Sequence, residues 1–343
     1  MSDSNLFEQQ AANRRRSAIL VAVFMLFFAW IGFGGDLILY LQTTAVAADS
    51  GGGYRHVFPW FGVFTTLLAG GMAWYSWRRG PKQVLWATGA WEILEPVKPE
   101  EKVFVNVVEE MAIASGLPRP TVWIVPDNDP NAFATGTDEK HAHVAVTEGL
   151  LAMLNRDELQ AVVAHEMAHI RNHDVKLMTL LAALVGVLAL IADGTWRVLW
   201  FGGGRRSRGG GGKKGGGGAM VAVILVLWVI SVILAPVVSR LLALGVSRKR
   251  EYLADATAAQ FTRNPAALAS ALRTIENAAA PTKSIKRGTA HLCIADPLGR
   301  RLTHKEGFVA GLFGTHPPMG VRVARLKAMA FEYDKTGSIP EEV

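Results

Sequence analysis

The chain has 343 residues with a formal net charge of +7, and half of its residues are hydrophobic. This length accommodates about two domains, and the mean hydropathy is positive, which is uncommon for a soluble globular protein. The single cysteine, Cys293, excludes an internal disulfide framework and a zinc site made of several cysteines. The composition therefore directs attention to where the apolar residues are concentrated.

Four apolar runs account for the excess of hydrophobic residues. Residues 17–35, 57–77 and 219–239 contain no charged side chain, and a shorter run covers residues 177–192. A bilayer core about 30 Å thick needs roughly 20 apolar residues in a helix. The sequence therefore predicts about four transmembrane helices rather than the buried helices of a large soluble protein. The first run is longer than the apolar core of a cleaved signal peptide, which favours a membrane helix.

Basic residues predict how these helices are oriented. Arg14, Arg15 and Arg16 precede the first run, and Arg78 and Arg79 follow the second. By the positive-inside rule, the N-terminus and the chain that follows the second run face the cytoplasm. The predicted localisation is a multi-pass protein of the cell inner membrane, with its soluble part on the cytoplasmic side.

A glycine-rich basic segment, residues 202–218, joins the third and fourth runs and departs from this charge bias. Its composition is that of a flexible linker. Because it lacks the glycine spacing of a phosphate-binding loop, the sequence predicts no ATP site. Its basic residues fit contact with anionic lipid head groups better than binding of nucleic acid. Asp36 and Asp193 lie near the ends of apolar runs, and two such charges are too few to favour an ion transporter.

The soluble part mixes helices and short strands without a βαβ repeat, which predicts an α+β domain. Helical spacing begins at residue 99 and ends at Gly116, and strands are predicted at 120–126 and 143–147. Asn155 is a candidate helix N-cap, and Glu158 three residues later completes a capping-box pattern. The helix that follows is predicted to run through Asp174.

That helix contains the stretch "AVVAHEMAHIRNHD" at residues 161–174. His165 and His169 are one turn apart on the same face, so both imidazoles can reach one metal ion. Glu166 points away from that face and can take a proton from water without being a ligand. The alternative is a chance run of polar residues on a solvated face. The apolar neighbours Val162 and Met167 argue against it.

A catalytic zinc site uses three protein ligands and an open fourth position. His173 lies two turns beyond His165, too far to complete a compact site, and is expected to act as a cation at the helix C-terminus. The stretch "SRKREYLADATAAQF" at 247–261 predicts an amphipathic helix with Glu251 and Asp255 four residues apart. Taken alone, such a pair is usual on a solvated helix face. Beside the histidine motif, Glu251 becomes the candidate third ligand and Asp255 a hydrogen-bond partner of a ligating histidine.

"HEMAH" followed by "EYLAD" resembles the HtpX-type membrane-bound zinc metalloproteases, which are related to the CAAX prenyl endopeptidases. The likeness covers nearly the whole chain, including "AANRRRSAIL", "NAFATG" at 131–136 and "THPPMGVRVARL" near the C-terminus. The resemblance implies an α+β zincin-like (gluzincin) catalytic domain combined with about four transmembrane helices. It also implies one Zn²⁺ per chain, bound by His165, His169 and Glu251, with Glu166 as the catalytic base.

Four segments follow from the apolar runs and this resemblance. They are an N-terminal transmembrane hairpin (1–79), a first catalytic part (80–175), a second membrane hairpin (176–246) and a second catalytic part (247–343).

Two further stretches are candidate parts of the active site. In "NAFATG", an ordinary turn that leads into a strand competes with a sheet edge at Asn131, Ala132 and Phe133 that holds an extended peptide by strand addition. The resemblance places His316 to donate to the oxyanion of the tetrahedral intermediate, although a histidine before two prolines is often structural. Arg322 is expected to anchor its helix by a salt bridge.

The predicted function is hydrolysis of peptide bonds in misfolded or damaged membrane proteins, on the cytoplasmic side of the membrane. The expected partners are membrane-protein and unfolded polypeptide substrates and the lipid bilayer, with no nucleic acid and no ATP. Two alternatives stand beside it, a catalytically silent zinc-binding membrane scaffold and a specific prenyl-peptide-processing protease. Glu166 argues against the scaffold, because a structural zinc site closes all four positions and needs no base.

Overall fold

The computed structural model describes residues 4–50, 52–180, 248–278, 292–294 and 317–336. The chain divides into two compact units. One comprises Ala18–Ser76 and Leu184–Leu242; the other comprises Met1–Ser17, Trp77–Ala183 and Ala243–Val343.

The first unit contains the apolar parts of two helices, α1 (Ser4–Ser50) and α2 (Trp60–Ala87). Among the described residues, only Arg15–Thr44 of α1 is long and apolar enough to cross a membrane, judged by length and composition. The second predicted run lies in α2. Most of the third and all of the fourth lie outside the described residues, as does the glycine-rich segment. The number of membrane spans therefore stays a prediction.

Asp36 joins the two helices of this unit. Its buried carboxylate accepts a hydrogen bond from the Gly62 N–H at 2.6 Å and lies 2.6 Å from Nε2 of His56. The first N–H groups of a helix have no partner within the helix, so a carboxylate at this position stabilises the start of α2. A structural role for Asp36 is sufficient to explain a charged residue beside an apolar run.

The second unit is built around a four-stranded sheet. Its strands are β1 (Trp91–Glu92), β2 (Thr121–Val125), β3 (Ala132–Gly136) and β4 (Ala142–Thr147), in the spatial order β1-β2-β4-β3. β2 and β4 are parallel, whereas β3 runs antiparallel to β4 and lies at the edge of the sheet. The predicted strands at 120–126 and 143–147 are confirmed, and "NAFATG" forms the edge strand.

Among the described residues, the helices beside this sheet include α3 (Pro99–Ser115), α4 (Glu148–Met153), α5 (Arg156–Arg171), α6 (Arg248–Thr262), α7 (Pro265–Asn277) and α8 (Met319–Thr336). The central helix is α5, which packs against α3, α6, α7 and β3. Val162, Val163 and Met167 are fully buried in it. The apolar neighbours of the histidine motif are therefore core residues, and the motif does not lie on a solvated face.

The start of α5 is the predicted capping box. The Asn155 side chain accepts a hydrogen bond from the Glu158 N–H at 3.0 Å, and the Glu158 carboxylate accepts one from the Asn155 N–H at 3.1 Å. An N-cap of this kind contributes about 1 kcal/mol. Glu158 also accepts a hydrogen bond from Ser270 on α7 at 2.6 Å, which ties the cap to the core.

The end of α5 differs from the prediction. The helix ends at Arg171 rather than running unbroken through Asp174, because His173 adopts a left-handed conformation with φ of 55°. The chain becomes helical again at Asp174. This break redirects the chain and brings Asp174 back toward the metal-binding face of α5.

Candidate metal centre and active site

Three side chains from two helices converge on one point. His165 and His169 lie one turn apart on α5, and Glu251 lies in the first turn of α6. The two Nε2 atoms are 3.2 Å apart, and the nearest Glu251 oxygens lie 3.8 Å from His165 Nε2 and 3.7 Å from His169 Nε2. Among the described residues, these three form the group of side chains that could hold a metal ion.

The spacing of these atoms fits a tetrahedral ion. Ligands about 2.0–2.2 Å from zinc are roughly 3.3–3.6 Å from one another. The observed separations bracket that range, and two imidazoles with one carboxylate are a ligand set that zinc accepts in catalytic sites. A small movement of Glu251 is sufficient to complete the geometry.

The hydrogen bonding of the two histidines also fits a cation. Nδ1 of His169 lies 3.1 Å from Asp174, and Nδ1 of His165 lies 3.0 Å from Asp255. A neutral imidazole with its proton on Nδ1 presents a lone pair at Nε2. Two ring nitrogens only 3.2 Å apart need a proton or a metal cation between them, and a metal ion can be bound by both lone pairs at once.

Charge around the site supports the same conclusion. The described residues place four buried carboxylates and two buried arginines in and around it: Glu166, Asp174, Glu251, Asp255, Arg250 and Arg322. Uncompensated buried charge is costly. The carboxylates outnumber the arginines, and a divalent cation offsets this excess of acidic groups, so the side chains present fit zinc.

Glu166 lies beside His169 and Glu251 in the wall of the site but is not one of the three candidate metal ligands. It is 1 % exposed, and burial raises the pKa of its carboxyl to about 7. Its Oε1 is a buried atom with no hydrogen-bond partner among the described residues. A carboxylate with a pKa near neutrality is suited to accept and return a proton at physiological pH.

Asp255 links His165 to Arg322 on α8. Arg322 is fully buried and donates to both oxygens of Asp255, at 2.8 Å from Nε and 2.7 Å from Nη2. Although burial opposes ionisation, the charge of Arg322 holds the pKa of the Asp255 carboxyl below its usual value. The contact between Asp255 and His165 is short, but its angle departs from that of an ideal hydrogen bond. Arg322 thus forms the expected salt bridge.

Asp174 is a site residue that the sequence analysis missed. It is 1 % exposed, and Oδ2 lies within hydrogen-bond distance of His169 Nδ1. Burial works against protonation of His169, yet Asp174 and Glu251 raise the pKa of this imidazole to about 9. The negative charges of Asp174 and Glu251 also favour a metal ion at Nε2 of His169. The signal available in the sequence was an acidic residue five positions after the second histidine.

The other residues considered in the sequence analysis lie at the edge strand, outside the described residues or beyond the end of α5. Asn131, Ala132 and Phe133 are buried at the start of the edge strand, and the Ala132 carbonyl accepts a hydrogen bond from the Ile294 N–H at 2.9 Å. His316 lies outside the described residues. His173 lies 3.6 Å from Glu139 and is not in the group of described side chains that could hold a metal ion, so its predicted role as a cation at the helix C-terminus stays a prediction.

A small cavity of about 10 Å³ opens at the site, roughly the size of one water molecule. Its wall includes Glu166, His169 and Glu251 together with Ala134 of the edge strand and Cys293. The cavity places a water-sized space against both the candidate base and the candidate metal ligands. An HExxH helix, a carboxylate from a second helix and an adjoining antiparallel edge strand define the class of metallopeptidases.

Comparison with known proteins gives the family. The model of peptidase family M48 matches residues 100–330 of this chain. A protease HtpX homolog of Thermoanaerobacter pseudethanolicus is 39% identical over 333 residues, which cover 96% of this chain and 99% of that protein. The homolog of Lactobacillus helveticus is 37% identical over 94% of this chain and 100% of its own length. The homolog of Tropheryma whipplei strain Twist is 42% identical over 80% of this chain and 87% of its own length.

A crystal structure of S. mikatae Ste24p aligns with 90% of this chain and 66% of its own, at 16% sequence identity and a TM-score of 0.42. From its sequence relatives, the chain belongs to peptidase family M48 and is a metalloprotease, a hydrolase of peptide bonds. The resemblance to HtpX-type proteases that the motifs indicated is confirmed.

Proposed function

We propose that this protein is an integral membrane zinc endopeptidase that cuts misfolded or damaged membrane proteins on the cytoplasmic side. The observation that carries the catalytic part is the convergence of His165, His169 and Glu251 beside Glu166. The membrane part is supported by the apolar helix Arg15–Thr44 and by the basic residues that flank the apolar runs.

His165, His169 and Glu251 would hold the ion. Zinc, when bound, supplies a Lewis acid that makes water more acidic and polarises the scissile carbonyl. Glu166 then takes the proton from the attacking water and delivers it to the leaving amine, which its pKa near 7 permits in both directions. Arg322 and Asp255 keep His165 oriented throughout.

Substrate would lie along the edge strand β3. An extended peptide can add to the edge of a sheet through main-chain hydrogen bonds, and Asn131–Phe133 lie where the edge strand begins. His316 would donate to the oxyanion of the tetrahedral intermediate. Its place in the sequence, directly before the two prolines that precede α8, supports this role because α8 carries Arg322 into the site.

The decisive experiment replaces the base and keeps the ligands. The variant Glu166→Gln should bind one zinc per chain like the wild type but hydrolyse unfolded casein more slowly by several orders of magnitude, because a neutral amide accepts no proton. Hydrolysis near the wild-type rate would refute the protease mechanism. Zinc content measured by atomic spectroscopy on the same samples separates loss of the base from loss of the metal.

The membrane part of the proposal has its own test. His169 is eight residues before the third apolar run, so a substrate segment close to the bilayer meets the site at high effective concentration. One cleavable peptide tethered to liposomes through spacers of graded length should be cut faster than the same peptide in solution. A rate indifferent to tether and spacer length would contradict selection of substrates by membrane proximity.

The scaffold and the prenyl-peptide protease are the competing outcomes. A zinc-loaded wild type that hydrolyses neither casein nor tethered peptide would favour the scaffold. Cleavage confined to peptides that carry a C-terminal prenylcysteine would favour the second alternative.

A further inference from the structure

Each metal-binding histidine has a buried carboxylate behind it, and each of these carboxylates has a buried arginine. For His165 the set is Asp255 and Arg322. For His169 the carboxylate is Asp174, and Oδ1 of Asp174 lies 3.5 Å from Nη1 of Arg250. The second set repeats the chemistry of the first with residues from different parts of the chain.

Arg250 connects the two helices that supply the ligands. It is 4 % exposed at the start of α6, immediately before the ligand Glu251, and its Nη2 also lies 3.7 Å from Sδ of Met178. Asp174 follows the break at the end of α5. The ion pair between Asp174 and Arg250 therefore links the segment that follows His169 to the helix that carries Glu251.

We infer that Asp174 and Arg250 are positioning residues of the metal centre. Asp174 holds the His169 ring so that its Nε2 lone pair faces the ion, and Arg250 holds Asp174 from the helix that carries Glu251. Carboxylate partners of metal-binding histidines typically contribute about 10–100-fold to metal affinity or activity. This inference rests on the proposed zinc site, but its test needs no hydrolysis.

The test measures zinc affinity by chelator competition and the visible spectrum of the cobalt-substituted protein. Asp174→Ala should weaken zinc binding by about 10–100-fold and change the cobalt spectrum, because His169 loses its orientation. Asp174→Asn keeps an acceptor for Nδ1 and should fall between Ala and wild type. Arg250→Lys, which keeps the charge beside Asp174, should be milder than Arg250→Gln.

The matched control is Asp157→Asn, an exposed aspartate at the other end of α5. It should leave zinc affinity and the cobalt spectrum unchanged. Zinc affinity of Asp174→Ala within twofold of the wild type, with an unchanged cobalt spectrum, would overturn the inference. Because no substrate is involved, this result is distinct from failure of the protease proposal.

A second, independent observation concerns the edge strand. Residues Leu292–Ile294 lie against the outer side of β3, where Cys293 pairs with Phe133 in an antiparallel bridge. The Ile294 N–H donates to the Ala132 carbonyl at 2.9 Å, and the Ile294 carbonyl accepts from Nη1 of Arg322 at 3.1 Å. All three residues are buried, and they line the cavity at Glu166.

The Ala132 carbonyl already accepts a hydrogen bond from the Ile294 N–H, so a second strand cannot pair with β3 at this position while Ile294 is in place. The segment Leu292–Ile294 thus occupies the place where an extended substrate would pair with β3 in the proposed function. We propose that this segment is autoinhibitory and that substrate must displace it before hydrolysis. A substrate strand that pairs with β3 would replace the hydrogen bond that the Ile294 N–H donates to the Ala132 carbonyl, so displacement exchanges one main-chain hydrogen bond for another.

The single cysteine of the chain allows a direct test. Residues directly opposite in an antiparallel pair have Cα atoms about 4.5–5.5 Å apart, within the range that a disulfide spans. In Phe133→Cys, oxidation should join residue 133 to Cys293, lower casein hydrolysis at least about tenfold, and leave zinc content unchanged. Reduction should restore the rate. Phe133→Cys with Cys293→Ser cannot form the bond and should not respond to oxidation.

Undiminished hydrolysis by the fully crosslinked form would overturn this proposal, whereas absence of hydrolysis in the wild type would count against the protease itself. A second measurement avoids the change at Phe133. Cys293 is 1 % exposed, so displacement of its segment should speed its alkylation. In zinc-loaded Glu166→Gln, saturating peptide should raise the alkylation rate several-fold; an unchanged or lower rate contradicts displacement.

Discussion

The two histidines of the metal centre are held in different ways. His165 is backed by Asp255, whose two oxygens are both engaged by the fully buried Arg322 from α8. His169 is backed by Asp174, whose contact with Arg250 is longer, at 3.5 Å. The first arrangement joins the metal centre to the core through a bidentate ion pair, and the second joins the two ligand-bearing helices to each other.

Because of this difference, mutations behind His165 should change both folding stability and zinc affinity, whereas mutations behind His169 should change mainly zinc affinity. Removal of one partner of a buried ion pair leaves an uncompensated charge and is strongly destabilising. The pair behind His165, Asp255 and Arg322, therefore both orients the histidine and stabilises the fold. The side of His169, with the longer contact, is the one where metal affinity can be changed with less effect on folding.

The largest effect is expected at Glu251, the candidate ligand that lies close to both histidines. Glu251→Ala should lose zinc affinity and casein hydrolysis together, by more than the roughly 10–100-fold of an outer partner, because a ligand is removed rather than reoriented. Isothermal titration with zinc and the casein assay measure the two losses. Zinc occupancy equal to the wild type would sink the assignment of Glu251.

The next largest effect distinguishes the carboxylate behind His165, Asp255, from the one behind His169, Asp174. Asp255→Asn should weaken zinc binding about 10–100-fold and also lower the free energy of unfolding of the metal-free protein, by up to roughly 3–5 kcal/mol, because Arg322 loses the closer of its two buried carboxylate partners, Asp255 rather than Glu251. Asp174→Asn should affect zinc binding in a similar way with a smaller loss of stability. Chemical denaturation in detergent, with and without zinc, compares them. Equal losses of stability would show that the two sides are equivalent.

A pH-dependent effect is expected from Glu166. Its folded-state pKa of about 7 lies above the unfolded value of 4.5, so the native state binds the extra proton between these values. Stability from this group is thus fully present below pH 4.5 and is lost as pH rises to about 7. Metal-free Glu166→Gln, which cannot ionise, should melt at a higher temperature than metal-free wild type at pH 8. The two proteins should melt alike near pH 5. A difference independent of pH would show that Glu166 stays ionised in the fold.

The smallest effect is expected at His173, which borders Asp174 in sequence but lies outside the metal-binding group. His173→Ala should leave zinc affinity and hydrolysis within about twofold of the wild type, since its contact is with Glu139 at the surface. The same assays apply. A tenfold loss of zinc would return His173 to the list of candidate ligands.

The elements that sequence predicts well here are those set by neighbouring residues. The capping box at Asn155, the helix that ends at Gly116 and the strand at 121–125 all formed as expected, because short-range hydrogen bonds and apolar spacing determine them. The unbroken helix through Asp174 was wrong. No glycine or proline marks the break at His173, so the left-handed turn has no local signal.

The metal-binding motif also depends on local spacing, which is why the two histidines and Glu166 could be identified from the sequence. Four residues in a helix place His165 and His169 on one face whatever surrounds them. Glu251 was reached from its own helical pattern and from the family resemblance, although it lies about eighty residues further along the chain.

By itself, the sequence determined the two-histidine face with its adjacent carboxylate, the apolar runs and the family to which they point. Tertiary structure alone decided that Asp174 and Arg250 meet behind His169, that Asp255 is shared with Arg322, and that Leu292–Ile294 cover the edge of β3. The physical reason is the range of the interactions. Helical periodicity repeats within a few residues, whereas these contacts join residues that are distant in sequence and come together only when the apolar core of α5 is packed.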